Sequence, residues 1–232
     1  MSIITPTTLQ NNRSILVFDI DGTLTDSIAP HQEALEAALR SFNFPTLRTD
    51  WASYKHHSDS AIFVEAWKEA NFKNMPDKLR FEAEYKVRFD HACKQSPLKE
   101  IVGASKFLAS LTDSPWHVVY ATGSLRYGAQ KKLESIGTEF SNDLLVTASE
   151  YETREEIVSQ AIIAAQKKYN LLKPSRIVSV GDGLWDFKTA KTLGLEFLGI
   201  GHGQKAEALR SLGAVVFNDF SDLNTLHAAL NG

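Results

Sequence analysis

Two aspartates one residue apart, Asp19 and Asp21, follow the apolar run Ile15-Leu16-Val17-Phe18 and lead into Gly22-Thr23. The run reads as a strand buried on both faces. Carboxylates at the end of such a strand repel each other, and each is costly to desolvate unless paired or bound to a cation. Turn capping would explain a lone Asp-x-Asp. The complete Asp-x-Asp-Gly-Thr after an apolar strand points to chemistry instead. Gly22 lets the chain turn sharply and bring backbone N–H groups close to an anion. Two more polar groups follow apolar runs: Thr122-Gly123-Ser124, and Asp182 with Asp186. A hydroxyl and N–H groups such as those of Thr122, Gly123 and Ser124 can hold phosphate oxygens where charge accumulates. Four converging carboxylates need a cation, and Mg²⁺ is readily shared between carboxylates and a substrate phosphate.

The elements that would position these groups alternate. Apolar runs predict strands from 15, and over 116–121, 144–147, 176–180, 196–200 and 214–217. Helical spacing predicts helices over 103–111, 126–136, 153–169, 186–193, 205–212 and 221–230. Alternation of this kind implies an α/β fold with a Rossmann-like, mostly parallel sheet flanked by helices. Ligands in such sheets bind at the carboxyl ends of the strands, which is where all three polar groups fall. Residues 29–96 break the alternation, with helices predicted over 31–42, 60–72 and 78–94 and no convincing strand. They read as an inserted α-helical cap domain, leaving 1–28 and 97–232 as the core.

The chain's 232 residues suffice for a core with one smaller inserted domain. A composition 43% hydrophobic and 23% charged is that of an ordinary globular protein. A net charge of −3 gives no reason to expect nucleic-acid or anionic-membrane partners. No apolar stretch approaches the roughly 20 residues that span a bilayer. The polar segment 1–12 lacks the basic start and apolar centre of a signal peptide and reads as a loose tail. The single cysteine, Cys93, cannot form an internal disulfide and fits a cytoplasmic location.

The segment from Asp19 to Ser27 resembles the first motif of the haloacid dehalogenase superfamily in its phosphatase branch, and Gly181-Asp182-Gly183-Leu184-Trp185-Asp186 resembles its fourth. The resemblance implies that Asp19 is a nucleophile and Asp21 a general acid/base. It also implies Mg²⁺ held by Asp19, the backbone carbonyl of Asp21 and Asp182, with Asp186 on the metal through water or orienting a cation. The family's supporting lysine is not in its usual form. Arg154, at the start of the 153–169 helix, is the preferred substitute over Lys167, Lys168 and Lys173, which sit nearer helix ends that suit solvent. In the cap, Tyr54-Lys55-His56-His57-Ser58-Asp59 is the most unusual stretch, and Tyr54 and His57 are expected to contact substrate. His31 and Arg126 are further candidates. The implied activity is a phosphoglycolate phosphatase-like hydrolase, monomeric or homodimeric, acting on a small phosphorylated metabolite. A β-phosphoglucomutase-like mutase and a catalytically weak phosphate-binding protein are the alternatives.

Overall fold

The computed structural model describes residues 13–231, so the tail expected over 1–12 lies outside the described residues. In chain order the strands are β1 (Ser14–Phe18), β2 (Thr25–Asp26), β3 (Lys99–Glu100), β4 (Trp116–Ala121), β5 (Leu145–Val146), β6 (Ile177–Gly181), β7 (Glu196–Ile200) and β8 (Val215–Phe217). All but β2 and β3 form one parallel sheet in the order β5-β4-β1-β6-β7-β8. The chain moves outward from β1 through β4 to β5, then crosses back to β6 on the other side. The point where the strand order reverses is therefore at β1, where such sheets bind ligands.

Residues alternate along β1 between two apolar layers, as the period of two requires. Ile15 and Val17 pack with helix α6 (Arg154–Tyr169) on one face, and Leu16 and Phe18 with α4 (Ala104–Ser110), α5 (Arg126–Ser135) and α9 (Leu223–Asn231) on the other. The remaining core helices are α7 (Leu184–Thr192) and α8 (Gly203–Ser211).

The insertion holds α1 (Ile28–Arg40), α2 (Asp59–Glu69) and α3 (Lys78–Gln95). Its two connecting segments pair antiparallel as β2 and β3, Thr25 opposite Glu100 and Asp26 opposite Lys99. Strands of two residues are too short to leave an alternating pattern in sequence. Phe42, Phe63, Trp67 and Phe81 form the centre of the insertion, with Phe63 and Phe81 stacked at 4.4 Å. Each such buried side chain contributes roughly 1.5–3 kcal/mol. The apolar cluster continues unbroken from these rings to Ile15 and Val17 of β1, so the insertion is packed onto the core.

The expected elements shift at their ends. Helix α1 begins at Ile28, because Pro30 is tolerated in a first turn whose N–H groups lack helical partners. The strand expected over 144–147 shrinks to two residues, because a 3₁₀ turn at Asn142–Leu144 precedes it.

Candidate active site

The register of the sheet brings the polar groups together. Phe18 lies opposite Tyr120 on β4 and Val180 on β6, so the three strands end within one residue of each other in height. Asp19 follows β1, Thr122 follows β4 and Asp182 follows β6. Gly22 adopts φ +76°, and a Cβ there would lie 2.5 Å from Asp182 Oδ2. Only glycine allows both the turn and that approach.

Asp19, Asp182 and Asp186 are all buried, with one carboxylate oxygen from each within 4.8 Å of the others. Arg154 bridges two of them. Its Nη2 donates to Asp19 Oδ1 at 2.9 Å and, by a shorter bond, to Asp186 Oδ1. A capping box between Thr153 and Glu156 starts α6 at Arg154 and fixes where this side chain begins. None of Lys167, Lys168 and Lys173 lines this cavity. Burial raises the proton affinity of Asp19, and the nearby Asp186 adds to it; burial also raises Asp186. Burial pushes Asp182 up to about 6 although Lys205 donates to its Oδ2 at 3.0 Å. Burial opposes the charge of Arg154, but Asp186 and Asp19 hold the guanidinium protonated.

Among the described residues, four buried polar side-chain atoms lack a partner, and two of them are here: Asp182 Oδ1 and Arg154 Nε. An unpaired acceptor on one of three clustered carboxylates fits a divalent cation with oxygen ligands, so the Asp19, Asp182 and Asp186 set suits Mg²⁺.

Asp21 is held differently. Lys132 Nζ lies 2.7 Å from its Oδ1 and 2.8 Å from its Oδ2. Ser27 Oγ and Ser124 Oγ each donate to it at 2.6 Å. Burial alone would raise the Asp21 carboxyl, but Lys132, His31 and these hydrogen bonds hold it well below the usual carboxylate range. Lys132 is fully buried and also reaches Ser124 Oγ at 2.8 Å and His31 Nδ1 at 3.2 Å. His31 Nδ1 meets Tyr85 Oη at 2.8 Å, and its Nε2 meets Asp59 Oδ1 at 3.1 Å. Asp59 Oδ2 accepts from Leu125 N–H at 2.9 Å. A chain of polar contacts thus runs from Asp21 in the core into the insertion and back to the core.

The expected substrate-binding residues divide. Thr122 is buried at the cavity and caps no helix, since α5 begins at Arg126. Gly123 lies under the cap: its carbonyl accepts from Asp59 N–H at 2.8 Å, and a Cβ there would strike the His57 carbonyl. His57 lines the cavity, with its ring 5.0 Å from that of Trp185. Burial, then Arg154 and Lys188, lower its proton affinity below that of a free imidazole.

Two expectations are corrected. Tyr54 does not face the cavity. It is buried, donates to the Arg48 carbonyl at 3.0 Å and lies under the Arg48 guanidinium, because its ring completes the apolar packing of the cap. Ser124 lines the cavity, but its hydroxyl donates to Asp21 and its N–H to Thr122 Oγ1 at 3.1 Å, so both of its donors are already engaged. Arg126 is turned away, to Glu150 and the Leu145 carbonyl.

Lys132 was missed in sequence. It reads there as one of two adjacent lysines on a charged helix. Its signal was its place on the apolar stripe Leu125, Ala129, Lys132 and Ile136, which runs along α5 and its two caps, where solvent-facing charges do not belong.

A search of curated proteins finds no match. Among solved structures, a hydrolase from Pseudomonas syringae superposes with a TM-score of 0.70 at 20% identity, covering 94% of this chain and 99% of that one. CbbY from Rhodobacter sphaeroides, in complex with phosphate, gives 0.67 at 15% identity, over 90% and 96%. A predicted phosphoglycolate phosphatase from Haemophilus somnus gives 0.58 at 18%, over 94% and 98%. These likenesses establish the shared fold. Residues 16–200 match the model of the haloacid dehalogenase-like hydrolases, and the chain belongs to that family.

Proposed function

We propose that the protein is a Mg²⁺-dependent phosphatase that hydrolyses a small phosphorylated metabolite through an aspartyl-phosphate on Asp19. The observation that carries this reading is the buried cluster of Asp19, Asp182 and Asp186 around the unpaired Asp182 Oδ1, bridged by Arg154 at the switch point of the sheet.

Mg²⁺ held by Asp19, Asp182 and the Asp21 backbone carbonyl would neutralise the carboxylates and phosphate oxygens, so that an anionic nucleophile can approach an anionic ester. Asp19 attacks phosphorus, and the bond from phosphorus to the leaving oxygen breaks. Thr122, the Gly123 N–H and Arg154 hold the non-transferred oxygens. Asp21 gives the leaving alcohol its proton, and the adjacent phosphate charge raises the proton affinity of Asp21 for that half of the cycle. In the second half Asp21 returns to the carboxylate that Lys132 favours and takes a proton from the water attacking the acyl phosphate. The docked cap excludes other water.

Among the described residues no helix is long and apolar enough to cross a membrane. The half-buried Cys93 suits a reducing cytoplasm. Hydrolysis of p-nitrophenyl phosphate is the direct test. EDTA and Asp19→Asn are each expected to abolish it, and turnover that survives either one refutes the mechanism.

A further inference from the structure

The cavity over Asp19 measures about 480 Å³, within the range of small-molecule sites and larger than a phosphoryl group needs. Its floor is the catalytic floor of the core. Its opposite wall comes from the cap: Ile28, Leu35, Ile62 and Trp51 supply apolar surface, and Gln32 and Thr49 supply neutral polar groups. The side chains of Gln32 and Thr49 make no hydrogen bond within the protein. They are available to a ligand.

Charge on this wall is of one sign. Among the described residues lining the cavity, the Lys and Arg side chains are Arg154 and Lys205, both from the core and both ion-paired to aspartates. The cap contributes the carboxylates of Asp50 and Asp59. His31 is tied to Tyr85 and Asp59, and His57 is stacked on Trp185. Lys55 and Lys188 line a separate cavity of about 300 Å³ that shares the His57 and Trp185 border. A second anionic group seated against the cap would therefore meet no lysine or arginine among the described cap residues of the lining and would face the carboxylates of Asp50 and Asp59.

We infer that the substrate is the phosphomonoester of an uncharged alcohol with an apolar body and one or two hydrogen-bonding groups. It is neither a phosphorylated acid such as phosphoglycolate nor a bisphosphate. This inference rests on the phosphatase reading above and narrows it: Ile28, Leu35, Ile62 and Trp51 take the apolar body, while Gln32 and Thr49 take its polar groups.

The test compares two esters with the same leaving oxygen, hexyl phosphate and its carboxylate-tailed analogue 6-(phosphonooxy)hexanoate. With wild-type protein and Mg²⁺, kcat/KM for hexyl phosphate is expected to be at least about tenfold higher, which corresponds to 1.4 kcal/mol of discrimination. Gln32→Arg places a cation on the cap wall and is expected to shrink or reverse that ratio, mainly through KM. An equal or higher kcat/KM for the carboxylate in wild type overturns the inference, as does a Gln32→Arg variant that stays folded and active with the ratio unchanged. A failure of the phosphatase reading looks different. In that case neither ester is hydrolysed, acetyl phosphate leaves no phosphoryl group on Asp19, and this inference falls with its parent.

Discussion

Asp19 and Asp21 stand two residues apart at the end of one strand, yet different buried cations hold them and to different effect. Asp19 shares Arg154 with Asp186, and Asp182 adds a third carboxylate whose only ion-pair partner among the described residues, Lys205, has a side chain 54% exposed. Asp21 has Lys132 to itself, with two hydroxyl donors in support. Negative charge is in excess in the first half, and its carboxylates are raised toward protonation. In the second half it is fully matched, and the carboxyl is lowered. The first half has the composition of a site completed by a divalent cation. The second is complete without one, and its order depends on the protein alone.

Altering one cation at a time breaks this comparison most sharply. Arg154→Met removes the charge that Asp19 and Asp186 share. It is expected to lower kcat for p-nitrophenyl phosphate by about 10²–10³-fold, the scale of a lost charge-stabilising donor. Saturating Mg²⁺ should restore much of its lost thermal stability, because added cation relieves the same carboxylates.

Lys132→Met leaves Asp21 buried without its partner. A stability loss of about 3–5 kcal/mol in chemical denaturation is expected, as for a broken buried ion pair. Mg²⁺ should not restore it. A second change, Asp21→Asn, should recover part of the loss by removing the stranded charge. Equal Mg²⁺ rescue of the Arg154 and Lys132 variants would erase the distinction between the two halves.

The pH dependence sharpens it further. Asp182 has a folded-state proton affinity above its ordinary value of 3.8, at about 6. Its contribution to stability without metal is therefore fully present below 3.8 and is lost as pH rises through about 6. Mg²⁺ must displace that proton at low pH and meets a free carboxylate at high pH. The rise in melting temperature on adding Mg²⁺ is expected to be larger at pH 8 than at pH 5. An equal rise at both would contradict the assignment of Asp182 to the metal.

The smallest effect belongs to Tyr54→Phe, which deletes the hydrogen bond to the Arg48 carbonyl while keeping the ring in the cap. About 1 kcal/mol of stability should be lost, with KM unchanged. A raised KM would return Tyr54 to the substrate cavity.

The same comparison shows what could be read in the sequence. The Asp19 half was legible because its parts sit at strand ends, where position alone implies convergence: the Asp-x-Asp-Gly-Thr turn, Thr122, and Asp182 with Asp186. Arg154 was legible only through the family resemblance, as the cation at the start of the 153–169 helix where the family places its supporting lysine. The Asp21 half was not, since Lys132 is 111 residues away from Asp21 and enters on a helix whose other charges face solvent. Asp59 read as an ordinary helix-start residue, although its carboxylate links His31 to Leu125 N–H. Tyr54 failed for the opposite reason. An aromatic in a polar loop looks available, and only the packing of Arg48 and the cap rings shows that it is already used.

The central claim is that Asp19 carries the phosphoryl group. Rapid mixing with substrate and Mg²⁺, an acid quench, and mass spectrometry of the peptide containing Asp19 test it directly. The account predicts a phosphoryl adduct on Asp19 in the wild type that forms and decays within one turnover, and no adduct in Asp19→Asn. Turnover with no adduct on that peptide, or an adduct on another residue, would contradict it.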